Sequence, residues 1–112
     1  MKKFEIESYV TENGKTPFLS WLLRVKDKKV QAKLYARLDR ARYGNFGDWK
    51  ALSGTKGIYE MREHYGQGFR IYYAIVGKKV ILLLAGSTKK DQNKVIAKAQ
   101  KYFADYKQRE SK

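Results

Sequence analysis

Ile58-Tyr59-Glu60-Met61-Arg62-Glu63-His64-Tyr65-Gly66-Gln67-Gly68-Phe69-Arg70-Ile71-Tyr72-Tyr73-Ala74-Ile75-Val76-Gly77-Lys78 is the stretch that decides the fold. Its first six residues alternate polar and apolar side chains, the period of a strand with one buried face. His64 to Gly68 is a flexible turn, and Phe69 to Val76 is rich in the aromatic and β-branched residues that strands favour. Gly77-Lys78 forms a two-residue link whose leading glycine suits a type II′ turn. Lys79 to Ala85 follows as the most buried strand. Three strands joined by two tight links make an antiparallel meander.

Outward from this meander the period changes to that of helices. After it, Gly86 to Asp91 is expected as a loop. Gln92 to Lys107 follows as a helix with Val95, Ile96, Ala99, Tyr102, Phe103 and Tyr106 inward. Before it, Phe46 to Lys56 is expected as a loop, with Trp49 and Leu52 tacked onto the core. Val30, Leu34, Leu38 and Ala41 form an apolar stripe on a helix that Asp27 caps and that Gly44 and Gly47 end. Lys28, Lys29, Lys33, Arg37, Arg40 and Arg42 decorate the rest of its surface. Phe18, Trp21, Leu22 and Val25 mark a shorter helix, capped by Thr16 with Pro17 at its first position. Glu12 to Lys15 is turn chemistry, and Lys3 to Val10 reads as an opening strand. The expected order is β-α-α-β-β-β-α, an α+β fold with helices gathered beside a mostly antiparallel sheet.

The chain has 112 residues, enough for one domain over 1–112 and too few for two stable cores. With 43% hydrophobic and 14% aromatic residues it can form a compact core. There is no cysteine, so disulfides and thiolate metal sites are excluded, and a single histidine, His64, cannot build a His-rich metal centre. The N-terminus has no apolar signal-peptide core, and the longest apolar run, Val80 to Ala85, is far short of a membrane span. A cytoplasmic protein with no cofactor and no membrane partner is expected. Twenty-five Lys and Arg against eleven Asp and Glu leave a net charge of +14. That excess suits a nucleic acid, a ribosome or an acidic protein partner, and says nothing of the fold.

Alternation gathers the candidate chemistry. With Tyr59 and Met61 inward, Glu60 and Arg62 share the other face, and on the neighbouring strand Arg70 and Tyr72 do the same. Hairpin pairing then makes one polar patch, with Lys89 and Lys90 at its rim. Two guanidinium forks can hold a phosphate, Glu60 can take a proton, and a lysine can donate one or act as a second clamp. Blander readings stand beside these. Glu60 and Arg62 also read as an exposed ion pair, Lys89-Lys90 as a solvated loop, Tyr72 as a packing residue and His64 as a bystander in its turn. Trp21 and Trp49 read as core. Gly66-x-Gly68 precedes a strand, so it is not a dinucleotide fingerprint.

Several segments, taken in order, carry a family likeness: Pro17-Phe18-x-x-Trp21-Leu22, then Arg42-Tyr43-Gly44-Asn45-Phe46-Gly47-Asp48, Gly57-Ile58-Tyr59-Glu60-Met61-Arg62, Gly68-Phe69-Arg70-Ile71-Tyr72-Tyr73, Leu82-Leu83-Leu84-Ala85-Gly86 and Lys89-Lys90-Asp91-Gln92. Over about residues 3 to 106 the chain resembles the phage-derived, Gp49-like addiction-module killer proteins, the HigB-like branch of the RelE/ParE superfamily. The resemblance implies a microbial RNase-like fold and metal-independent cleavage of mRNA, often at the ribosomal A site. Translation would be inhibited until a cognate antitoxin, of helix-turn-helix type, neutralises the toxin in a hetero-oligomer. Arg70 matches the family's phosphate-binding arginine. Glu60 and Arg62 fall where relatives carry lysines or a Glu/Arg pair, and Lys90 falls where some carry an arginine. The resemblance thus implies Arg70, Arg62, Glu60 and Lys90 as catalytic residues, and Lys89, Lys56, Tyr72 and His64 are expected beside them as RNA contacts. Ile96 stands where relatives carry a catalytic Tyr or His. The ParE side of the superfamily targets DNA gyrase on the same sheet, and a plain nucleic-acid-binding module is the third alternative.

Overall fold

The computed structural model describes residues 1–111. Along the chain run β1 (Glu5–Ser8), α1 (Pro17–Arg24), α2 (Lys28–Ala41), β2 (Trp49–Ala51), β3 (Tyr59–Glu63), β4 (Phe69–Val76), β5 (Val80–Thr88) and α3 (Gln92–Glu110). The strands form one sheet in the order β1-β5-β4-β3-β2, with β1 parallel to β5 and the other pairs antiparallel. The α+β class and the meander of β3, β4 and β5 are as expected.

Strand alternation builds a core on each face of the sheet. Phe18 and Leu22 of α1 and Val30, Leu34, Leu38 and Ala41 of α2 pack on Met61, Ile71, Tyr73, Ile81 and Leu83. On the opposite face Ala99 and Phe103 of α3 pack on Ile58, Tyr72, Ala74, Leu82 and Leu84. Apolar burial at about 25 cal/mol per Å² makes these two layers the main stabilising contribution. Asp27 caps α2 by accepting from the Lys29 N–H at 2.8 Å, whereas Thr16 makes no side-chain cap and Pro17 alone sets the start of α1.

Several boundaries differ from expectation. The segment expected as a loop from Phe46 contains β2, an edge strand whose three residues pair with β3 in the register Trp49↔Met61, Lys50↔Glu60 and Ala51↔Tyr59. Trp49 therefore stays 48% exposed and is not core, although it leans edge-on against Tyr59. The β4–β5 link is Gly77-Lys78-Lys79, one residue longer than expected, because Val76 pairs with Val80. Gly86 to Thr88, expected as loop, continue β5 to pair with Ile71, Arg70 and Phe69. Tyr72 pairs with Ala85 but Tyr73 with Leu83, so Leu84 is the extra residue of a bulge. The bulge resets alternation and keeps Ser87 opposite Arg70 on the α3 side of the sheet. Continuing the strand also stacks Trp21 against the bare backbone of Gly86, where a Cβ would lie 2.1 Å from the indole.

Candidate active site

The pairing Arg62↔Arg70, with Glu60 opposite Tyr72, sets four polar side chains on the face that α3 covers elsewhere. The main packing of α3 is on β5 and β4. Both guanidinium groups face the same side of the sheet, but unequally. Arg70 is 5% exposed and Glu60 4%, while the Arg62 side chain keeps 29% of its surface. Glu60 is thus a buried group, and the reading of an exposed Glu60–Arg62 pair does not hold. Its carboxylate lies between the two arginines, with Oε1 3.7 Å from Arg70 Nε and Oε2 4.0 Å from Arg62 Nε. Both distances exceed a hydrogen bond. Among the described residues, Glu60 Oε1, Arg62 Nε and Arg70 Nε accordingly have no hydrogen-bond partner although buried. Such orphaned polar atoms are rare in folded chains, and here three of them converge.

A second carboxylate was missed by sequence reasoning. Asp48, just before β2, sets Oδ1 3.4 Å from Arg62 Nη2 and Oδ2 2.5 Å from His64 Nε2. The hydrogen bond with His64 holds its carboxyl below the usual range, and the charges of Arg62, His64 and Arg37 add to this against slight desolvation. Its backbone carbonyl accepts the Arg62 N–H at 2.8 Å. What fixes Asp48 is Arg37, expected on the surface of α2 and found 7% exposed beneath the loop. The Arg37 guanidinium donates to the carbonyls of Arg62, Phe46 (3.0 Å) and Asp48 (3.2 Å), and lies 3.6 Å from Glu63. Gly47 at φ +61° passes over this guanidinium, and any Cβ there would sit 2.9 Å from Arg37 Nη2. The one trace in the sequence is the turn composition of Gly44-Asn45-Phe46-Gly47-Asp48, which shows a bend and not its partner.

The other expected residues divide. Tyr72, expected to contact RNA, is completely buried. Ser87 Oγ donates to the Thr88 carbonyl, so the Tyr72 hydroxyl donates to Ser87 at 2.8 Å. Burial pushes this phenol up to about 12, which makes it a poor proton shuttle near neutrality. It braces β5 beneath Arg70 and does not reach solvent. Lys89 lies at the rim of this cluster: its N–H donates to the Gly68 carbonyl at 3.1 Å. A Cβ on Gly68 (φ +87°) would lie 3.3 Å from Lys89 Cβ and 3.8 Å from Arg70 Nη1, so both residues border this glycine. Lys90 is exposed next to it, in the turn before α3. Lys56 is not brought in. It lies before the far end of β3, lining a shallow cleft with Phe103 and Lys107. His64 is 69% exposed and joined to the arginines through Asp48. Ile96 packs with the α3 core and offers no polar group. Among the described residues no three carboxylate or imidazole groups are arranged to hold a metal ion.

This arrangement can hold a phosphodiester on two forks, set a carboxylate between them, and place an imidazole–carboxylate pair at the side. Residues 21–105 match the family model described as "Phage derived protein Gp49-like (DUF891)". The chain belongs to the Gp49-like family. An uncharacterized protein of Haemophilus influenzae is 40% identical over 83 residues, which is 74% of this chain and 82% of that one. Among solved structures, a double-arginine mutant of the E. coli toxin RelE in the free state superposes with a TM-score of 0.61. It covers 90% of this chain and 97% of its own at 19% identity, a likeness of fold. Gp49-like membership is thus shown by the family model, and the likeness to RelE is one of fold, as the motifs led one to expect. In this Gp49-like chain no helix among the described residues is long and apolar enough to cross a membrane.

Proposed function

We propose that this chain is the toxin of a type II toxin–antitoxin pair, a cytoplasmic single-domain endoribonuclease that cuts mRNA, on the ribosome or free, without a metal ion, and so stops translation. The observation that carries the reading is the pairing of Arg62 with Arg70 around a carboxylate that satisfies neither. An incoming phosphoryl group can take over both guanidinium groups because the contacts it displaces are long, and the charge developing on its oxygens then strengthens the grip. Glu60, released from its arginines, accepts the proton of the attacking 2′-hydroxyl. The new O2′–P bond closes a 2′,3′-cyclic phosphate as the P–O5′ bond breaks. Lys89 and Lys90 hold neighbouring phosphates at the rim, and the charge of +14 draws the polyanion in. The same charge suits an acidic segment of a helix-turn-helix antitoxin that would cover this face in a hetero-oligomer.

Expression of the chain alone should arrest growth and shorten transcripts, and Arg70→Ala should relieve both. Arg62→Gln, at the more exposed arginine, serves as a second variant, with circular dichroism to verify folding. Purified protein should cleave a reporter mRNA, free or in translating ribosomes, and leave gyrase supercoiling untouched. Inhibited supercoiling with intact mRNA would overturn the reading. So would salt-sensitive RNA binding that leaves the RNA whole.

A further inference from the structure

We infer, on the ribonuclease reading just given, that His64 is the general acid of this site and that Asp48 is its positioning residue. His64 is the chain's one histidine and lies in the turn that joins the two arginine-bearing strands. A bystander in a glycine-flanked turn would be free to rotate. Here Nε2 is tied to Asp48 Oδ2 at 2.5 Å, while Nδ1 makes no protein hydrogen bond among the described residues and the side chain is 69% exposed. The second oxygen of the same carboxylate meets Arg62 Nη2 at 3.4 Å. One carboxylate therefore bridges the imidazole and a guanidinium of the site. Asp48 is itself held by three groups away from the reaction: the Arg37 guanidinium on its carbonyl, the Arg62 N–H on the same carbonyl, and the turn at Gly47. A rigidly oriented imidazole with one edge anchored and the other open is what proton delivery requires.

Charged groups from three elements surround the imidazole and its carboxylate. Asp48 faces it from the segment before β2, Arg62 from β3, and Arg37 from α2 acts on the shared carboxylate. Glu63 turns instead to Arg37 and to the Tyr65 N–H, and Lys33 lies over the Tyr65 ring. With Nε2 held by the carboxylate, Nδ1 is the nitrogen that can give a proton to the departing 5′-oxygen. In the full step the 2′-hydroxyl proton passes to Glu60, its oxygen bonds to phosphorus, the P–O5′ pair leaves with the 5′-oxygen, and that oxygen takes the proton of His64. The cyclic phosphate and a 5′-hydroxyl end result. Glu60 ends protonated and His64 neutral, and solvent restores both.

The test is cleavage of a short mRNA, both free and in the A site of programmed ribosomes, with the scissile 5′-oxygen kept or replaced by sulfur. A thiolate leaves without protonation, so a missing general acid costs nothing on the sulfur substrate. His64→Gln should slow the oxygen substrate by roughly 10²–10⁴-fold and cut the sulfur substrate at the wild-type rate. Asp48→Asn should show the same pattern more weakly, and NMR of the His64 ring should show that it has lost its fixed orientation. Arg70→Ala should be equally impaired on both substrates. If His64→Gln cuts both at the wild-type rate, or is slowed equally on both, the acid role is overturned while the ribonuclease reading stands on the arginine variant. If the wild type cuts neither substrate, free or on the ribosome, both fall.

Discussion

Replacing Glu60 with glutamine tests whether the buried carboxylate is a counter-ion that phosphate can replace. The change keeps the volume and removes one negative charge from a position 4% exposed. Arg70, itself 5% exposed, would keep, among the described residues, one side-chain hydrogen bond, from Nη1 to the Phe69 carbonyl at 3.2 Å. Breaking a buried ion pair by removing one partner costs about 3–5 kcal/mol. The lower end applies here, because both contacts are long and Arg62 keeps Asp48 at 3.4 Å and access to water. The expected loss is therefore about 3 kcal/mol, a large share of the roughly 5–15 kcal/mol that holds such a domain together. Urea unfolding should show it as a midpoint lower by about 1–3 M at unchanged slope. Sulfate should then stabilise Glu60→Gln more than the wild type, since an anion seated between the guanidinium groups binds only the folded chain. At a hundred times its dissociation constant that gain is about 2.7 kcal/mol. The wild type supplies the control for sulfate's general exclusion from protein surfaces. A variant as stable as the wild type to within about 0.5 kcal/mol, or one with the same sulfate response, would refute the view that Glu60 stands where a phosphate can sit.

Two further outcomes follow from packing and burial. Gly86→Ala places a methyl group 2.1 Å from Trp21 Cε3 and 2.4 Å from Cδ2 and Cζ3. The ring must move, at a cost of about 1–3 kcal/mol. Urea unfolding measures the loss, and Trp21 emission in a Trp49→Phe background should change with it; unaltered stability would show that the ring does not lie flat on β5. At alkaline pH, burial holds the Tyr72 phenol up at about 12 and Tyr73 higher still, both above their ordinary value of 10.0. The unfolded chain ionises first, so the stability these phenols contribute is complete below pH 10 and is lost as pH rises through about 12. Unfolding measured across that range should give a shallower decline for Tyr72→Phe, and an identical decline would remove Tyr72 from the linkage.

Much of the architecture was legible because it rests on local periodicity. Alternation alone put Glu60, Arg62, Arg70 and Tyr72 on one side of a hairpin, since side-chain direction in a strand depends only on parity along the chain. The helices followed from apolar spacing, and Asp27 was recognisable as a cap. Parity says nothing about depth. Glu60 and Arg70 are buried and Arg62 is not, a difference that parity leaves open, and α3 returns across β5 and β4 by a path that local periodicity does not set. The same return hid Tyr72 from solvent.

By itself the sequence determined the class of fold, the strands that carry the arginines, the face they share and the net charge of +14. Only the tertiary structure decided which of those groups are buried, that β2 completes the sheet edge, and that Arg37 grips the Phe46–Asp48 turn from beneath. It also decided that Asp48 ties Arg62 to His64, sixteen residues away along the chain from Asp48. The physical reason is one of range. Backbone periodicity is set by neighbours a few residues apart, whereas burial and ion pairing depend on which distant segments the packed cores bring together.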